Sequence, residues 1–252
     1  IALAKRSADT DAAVRLQVAA AAGGLPADAR IGICLEIAAS DAQDKWFRLA
    51  LLGSTNTDTL KFTQALLERF KGDFDAYAFA NFDFVSALCE VIGKSGHAED
   101  ISSLLKTTAQ EKPVTSVPDL AMLSGLTRGL SQSKKPLRQW LAEMPDLGAA
   151  LQRAFTSAGY IAHKDNARDF LRSAAVTVLA QDPDTAGVEE VKSLLSGGDN
   201  DTVRTAALDA LVNGGDDSVL ASMIVEWRKL TRPAQRALVT SMVRSPSSAT
   251  LL

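Results

Sequence analysis

An all-α fold of stacked helical hairpins is what this sequence predicts, on three observations. The stretch Asn200 to Asp216 reads as a capped, amphipathic helix with a glycine stop. Blurred copies of that frame recur along the chain, aligned on arginines 15, 48, 172, 204 and 236, with steps of 33, 124, 32 and 32 residues. Composition agrees: 46% of residues are hydrophobic but only 6% aromatic, so Ala and Leu dominate, as close helix packing requires. A single hairpin of this size buries too little to stand alone, whereas stacked copies share a core. The expectation is one domain over 1–252, an α-α superhelix of six to seven hairpins forming a right-handed solenoid. Its inner helices would line the concave side.

The helix at 200–216 shows why. Asn200 can accept from the free N–H groups of the first turn, and Asp201 puts negative charge at the positive helix end. Val203, Ala207, Leu208 and Leu211 form one buried stripe. Gly214 and Gly215 end the helix without a Cβ penalty, and Asp216 and Asp217 cap the next one, Ser218 to Leu230.

From the N-terminus, Ile1 to Arg6 reads as the tail of a helix, so the chain is expected to be a piece of a longer protein. Asp11 to Gly23 is an inner helix. Pro26 to Ala39 is its outer partner, Pro26 suiting a first turn where a missing N–H costs nothing. Asp44 to Leu52 is inner and Thr57 to Phe70 outer. Lys71 to Phe84 is irregular; it holds four of the nine Phe and one of the two Tyr residues, and reads either as a short packed helix or loop covering a gap in the stack or as a ligand or partner patch. Phe84 to Gly93 pairs with Ala98 to Ala109, Glu111 to Pro118 is a loop, and Asp119 to Leu130 is inner again. Lys134 to Ala158 holds two helices broken near Met144-Pro145, and Gly159 to Asn166 is a turn. Arg168 to Ala180 and Thr185 to Leu195 follow, with Asp182-Pro183-Asp184 between them as a start signal. The stretch 75–160 is the most degenerate, and Ser245 to Leu252 is a Ser-rich tail.

In three copies an acid or amide sits four residues before the arginine: Asp11/Arg15, Asp44/Arg48 and Asn200/Arg204. That spacing puts both side chains on one helix face. In register they would form a polar ladder between repeats, or a binding strip on the concave face together with Arg172. Residues 168 and 232 are arginines, which breaks the ladder there. Trp46 is assigned to core or inter-repeat packing, the alternative being the edge of the concave face.

This frame resembles the HEAT-repeat family, in which D-x-x-V-R opens the second helix of each pair. The resemblance is strongest over 11–54 and 167–244. The run Asp44-Lys-Trp-Phe-Arg-Leu-Ala-Leu-Leu is also similar to HEAT regions of large exported bacterial proteins, where such a region lies between a β-propeller sugar-dehydrogenase-like domain and a cytochrome c-like domain. That resemblance implies a periplasmic or extracytoplasmic protein and a non-catalytic spacer or protein-interaction module, whose partners are other domains or a protein. The alternative is a nucleic-acid-acting helical-repeat enzyme of DNA-glycosylase type, which would need a basic concave face with an exposed Trp.

Chemistry-bearing motifs are sparse. The chain holds two histidines, His97 and His163, both in predicted turns, and shows no C-x-x-C or H-E-x-x-H spacing. No metal or cofactor is expected. The glycine pairs at 197–198 and 214–215 follow helices, not strands, so they are no phosphate cradle. Cys34 and Cys89 fall on apolar faces of different repeats and read as buried free thiols. A net charge of −3 opposes dedicated nucleic-acid binding, which needs a basic face. No run approaches the ~18 apolar residues of a membrane span.

Overall fold

The computed structural model describes residues 2–109, 117–131, 135–196, 201–213, 221, 224–225, 227–229 and 232–244. The protein is all-α, with no strand among these residues. Helices α1 (Ala2–Arg6), α2 (Ala12–Ala21), α3 (Ala27–Asp41), α4 (Lys45–Thr55) and α5 (Thr59–Arg69) come first. Next are α6 (Phe74–Ala80), α7 (Phe82–Ser95), α8 (Ala98–Thr108), α9 (Val117–Leu130) and α10 (Leu137–Ala142). The chain continues with α11 (Pro145–Ala162), α12 (Asp169–Leu179), α13 (Thr185–Ser196), α14 (Asp201–Asn213) and α15 (Arg232–Arg244).

The helices pack as two rows. In the first, α2 lies against α4, α4 against α7, α7 against α9, α9 against α12, α12 against α14, and α14 against α15. In the second, α1 lies against α3, α3 against α5, α8 against α11, and α11 against α13. Gln64 of α5 donates to Ser103 of α8 at 3.1 Å and links the two halves of that row. Between the rows runs one core, with Phe62, Phe84, Phe155, Leu88 and Leu105 fully buried. Burying each such side chain contributes about 1.5–3 kcal/mol.

Local sequence explains the helix starts. Asp11 accepts from the Ala13 N–H at 2.8 Å, and Asp44 from Trp46 N–H at 2.7 Å and Phe47 N–H at 3.3 Å. Both carboxylates satisfy donors that the first turn leaves free. Pro145 opens α11, as the Met144-Pro145 break predicts. On α14 the expected stripe is buried: Val203, Ala207, Leu208 and Leu211. The glycine stop at 214–215, the helix predicted from Ser218 and the Ser-rich tail fall on residues outside the described set, or largely so.

Three expectations need correction. The segment 71–84 is not irregular throughout; of its two readings, the short packed helix is the one that forms. Helix α6 forms there, Phe70 stacks on Tyr77 with centroids 4.0 Å apart, and the Tyr77 hydroxyl donates to Ala38 O at 3.0 Å. The chain then turns by 92° at buried Asn81, whose Nδ2 donates to Tyr77 O, and enters α7. Gly159 to Asn166 is not wholly a turn either: α11 runs on to Ala162, and Gly159 leaves room for the Glu190 side chain, whose Oε2 would lie 2.8 Å from a Cβ there. Lastly, α9 opens at Val117-Pro118, inside the predicted loop, where proline suits a first turn.

The tightest contact joins α7 and α9 through backbone. A Cβ on Gly125 would lie 2.0 Å from Ser86 O, one on Gly129 2.3 Å from Glu90 O, and one on Gly93 2.7 Å from Leu126 O. Spaced four apart, Gly125 and Gly129 share a face and let the two helices touch main chain to main chain. No single helix among the described residues is long and apolar enough to cross a membrane.

Candidate functional site

Among the arginines that align the sequence, Arg15, Arg48, Arg172 and Arg204 hold partners in the framework. Arg15 does not pair with Asp11; its Nε and Nη2 clasp Asp41 of α3 at 2.8 and 2.7 Å, and Nη1 donates to Asp9 O at 2.7 Å. Arg48 does not pair with Asp44 either. It donates to Gln43 O at 2.7 Å and approaches Asp83 of α7 at 3.8 Å. Arg172 is buried and its Nε donates to Ala162 O at 2.9 Å. Arg204 pairs with Asp201 of its own first turn at 2.6 Å; Asn200 lies outside the described residues. Asp11 and Asp44 cap their helices instead of meeting Arg15 and Arg48. Other side chains cross between hairpins instead: Arg30 to Asp58, Arg69 to Glu36 at 3.1 Å, and Arg153 to Ala109 O at 3.0 Å.

Trp46 is not packed. It is 64% exposed, with Leu49 beside it at 52% and Lys45 Nζ 5.7 Å from its ring. The buried stripe of α4 is Phe47 and Leu51, which leaves residues 46 and 49 facing outward.

Sequence reasoning missed a groove along the first row. About 390 Å³ in volume, it is lined from α7, α9, α12 and α14. Phe82 and Phe170 meet edge to face at its wall, centroids 5.1 Å apart, and Ala174, Ala206 and Ala210 supply small apolar surface. Arg128 stands in the lining, its Nη2 donating to Ser86 Oγ at 2.8 Å and its Nε to Glu90 Oε2 at 3.1 Å. Burial alone would push the Glu90 carboxyl up, but hydrogen bonds from Lys94 and Arg128 hold it below its ordinary range. Asp83 and Asp209 face the same space. The aromatic run at 71–84 is the sequence signal for this region, since its Phe82 lines the groove.

A second cleft, about 660 Å³, opens between α11 and the start of α13. Asp182 lies there, 8% exposed, its carboxyl raised by burial and bonded to the Asp184 N–H and the Gln152 side chain. Among the described residues no three His, Cys, Asp or Glu side chains are placed to hold a metal ion. Cys34 and Cys89 are free and buried, on α3 and α7, as expected; burial raises their thiols to about 11 and about 12.

The sequence matches no family model, no curated protein and no solved structure.

Proposed function

We propose that the chain is a HEAT-like α-solenoid serving as a non-catalytic interaction or spacer module of a longer protein. The observation that supports it is the two-row stacking, in which arginines that stand at repeat positions or near them brace one helix against the next. Such an array presents an extended surface rather than a closed reaction chamber. The exposed Trp46 and Leu49 are then the first contact patch to examine, since paired apolar side chains on a helix face are what a partner would cover. In the exported-protein reading, the neighbours are a β-propeller dehydrogenase-like domain and a cytochrome c-like domain. The charge of the groove supports this over a DNA-glycosylase-like role, because a phosphate backbone there would meet Asp83 and Asp209 beside Arg128.

Two measurements test it. Small-angle X-ray scattering of the purified chain should give a radius of gyration clearly above the ~18 Å of a compact protein this long; a value at or below that rejects the solenoid. Within the longer protein, Lys45 should cross-link to another domain or chain, and Trp46→Ala with Leu49→Ala should abolish the link without lowering the melting temperature. A Lys45 that cross-links only within this chain would reject the patch.

A further inference from the structure

The groove of the first row carries an unmet hydrogen-bonding demand. Helical threonines elsewhere in this protein turn their hydroxyls back onto the carbonyl four residues earlier: Thr55 to Leu51, Thr63 to Thr59, Thr108 to Leu104 and Thr177 to Ser173, at 2.8 to 3.1 Å. Among the described residues, the buried hydroxyls without a partner are those of Thr127 on α9 and Ser173 on α12. Both residues line this one groove, and Thr127 is only 6% exposed. A buried hydroxyl left without a partner is costly, and two of them on residues that line one groove of neighbouring helices point to a place where something else completes the bonding.

The walls say what that something is. Asp83 offers acceptors, Arg128 donors, and Asn213 both. An anion would meet the carboxylates of Asp83 and Asp209, and a cation would meet the Arg128 guanidinium. A neutral group that both donates and accepts fits each of these walls and both free hydroxyls. The Phe82 and Phe170 rings and the alanine surface suit C–H faces between such groups. At about 390 Å³ the space is of small-molecule size. We propose that the groove between α7, α9, α12 and α14 binds a neutral polyhydroxylated molecule of one or two sugar rings, held through Thr127 and Ser173. This site does not depend on the interaction role proposed above; either can fail alone.

Calorimetry and ligand-observed NMR on the whole chain test it, with D-glucose, cellobiose and myo-inositol as probes, against glucuronate, glucosamine and tri-alanine. At least one neutral probe should bind saturably in the millimolar range, ahead of the three comparison compounds. Thr127→Val and Ser173→Ala should each weaken that binding roughly fivefold or more. Thr127→Val, which removes an unpartnered oxygen while keeping shape, should leave the ligand-free melting temperature unchanged or higher. No saturable binding of a neutral probe, stronger binding of a comparison compound, equal affinity in the variants, or a lowered melting temperature for Thr127→Val would each overturn the assignment.

Discussion

Replacing Gly125 by alanine tests the tightest joint of the fold. The added methyl would lie 2.0 Å from Ser86 O, 2.8 Å from Ser86 C and 3.0 Å from Ser86 Cα, all main-chain atoms of α7. A carbon and a carbonyl oxygen settle at about 3.3 Å, so the two helices must part by about 1.3 Å at that point. No side chain can swing aside to absorb the change. Parting the helices also loosens buried Leu88, Cys89, Leu126 and Leu130 along both faces. Overpacking costs about 1–3 kcal/mol, and a backbone clash belongs at the top of that range. For a chain of this length about 3 kcal/mol lowers the melting temperature by roughly 6–12 °C. Circular dichroism melts of Gly125→Ala beside Gly53→Ala provide the assay. Gly53 sits inside α4 with nothing within 4 Å of its would-be Cβ, so alanine there should stabilise by about 0.5–1 kcal/mol. A Gly125→Ala protein that melts within about 2 °C of the wild type would refute the reasoning, as would a Gly53→Ala protein that falls equally far.

Four further outcomes are expected. Asp44→Ala should lose about 1 kcal/mol of stability, read by urea denaturation, because two first-turn N–H groups lose their acceptor. Tyr77→Phe keeps the stacking on Phe70 but loses the bond to Ala38 O, and should cost about 1 kcal/mol by the same method. Glu90 has its carboxyl depressed in the folded state, so its stabilisation is present above its unfolded pKa and lost as pH falls through the folded one. Glu90→Gln should therefore be less stable than wild type by about 1 kcal/mol at pH 7, with the gap closing below that range; a constant gap across pH 3 to 7 would contradict this. Cys34 and Cys89 should resist a thiol reagent at pH 8 in the native protein and react once it is unfolded, since burial disfavours both thiolates.

What the sequence made legible was local. Asp11, Asp44 and Pro145 announce helix starts because a cap is a contact between near neighbours. The stripe on α14 announces its buried face by spacing alone. What stayed hidden depends on partners distant in the chain. The i, i+4 spacing of Asp44 and Arg48 suggests a shared helix face, but Asp44 is the extended cap before α4. The spacing is silent on partners: the Asp44 carboxylate takes two first-turn N–H groups, and Arg48 turns to Gln43 O. Trp46 reads as packing by its bulk, yet Phe47 and Leu51 one step round the helix take the buried side. Nothing in the sequence marks Gly125 and Gly129 as a contact until Ser86 and Glu90 are brought against them. The groove has the same character: nothing in the sequence sets Thr127 beside Ser173 until α9 and α12 are neighbours.

Where α7 meets α9, main chain rests on main chain, with no flexible cushion between. Neither α12 nor α14 holds a glycine, so side chains stand between their main chains. A load on the ends should therefore be resisted most where α7 meets α9, the joints on either side yielding first.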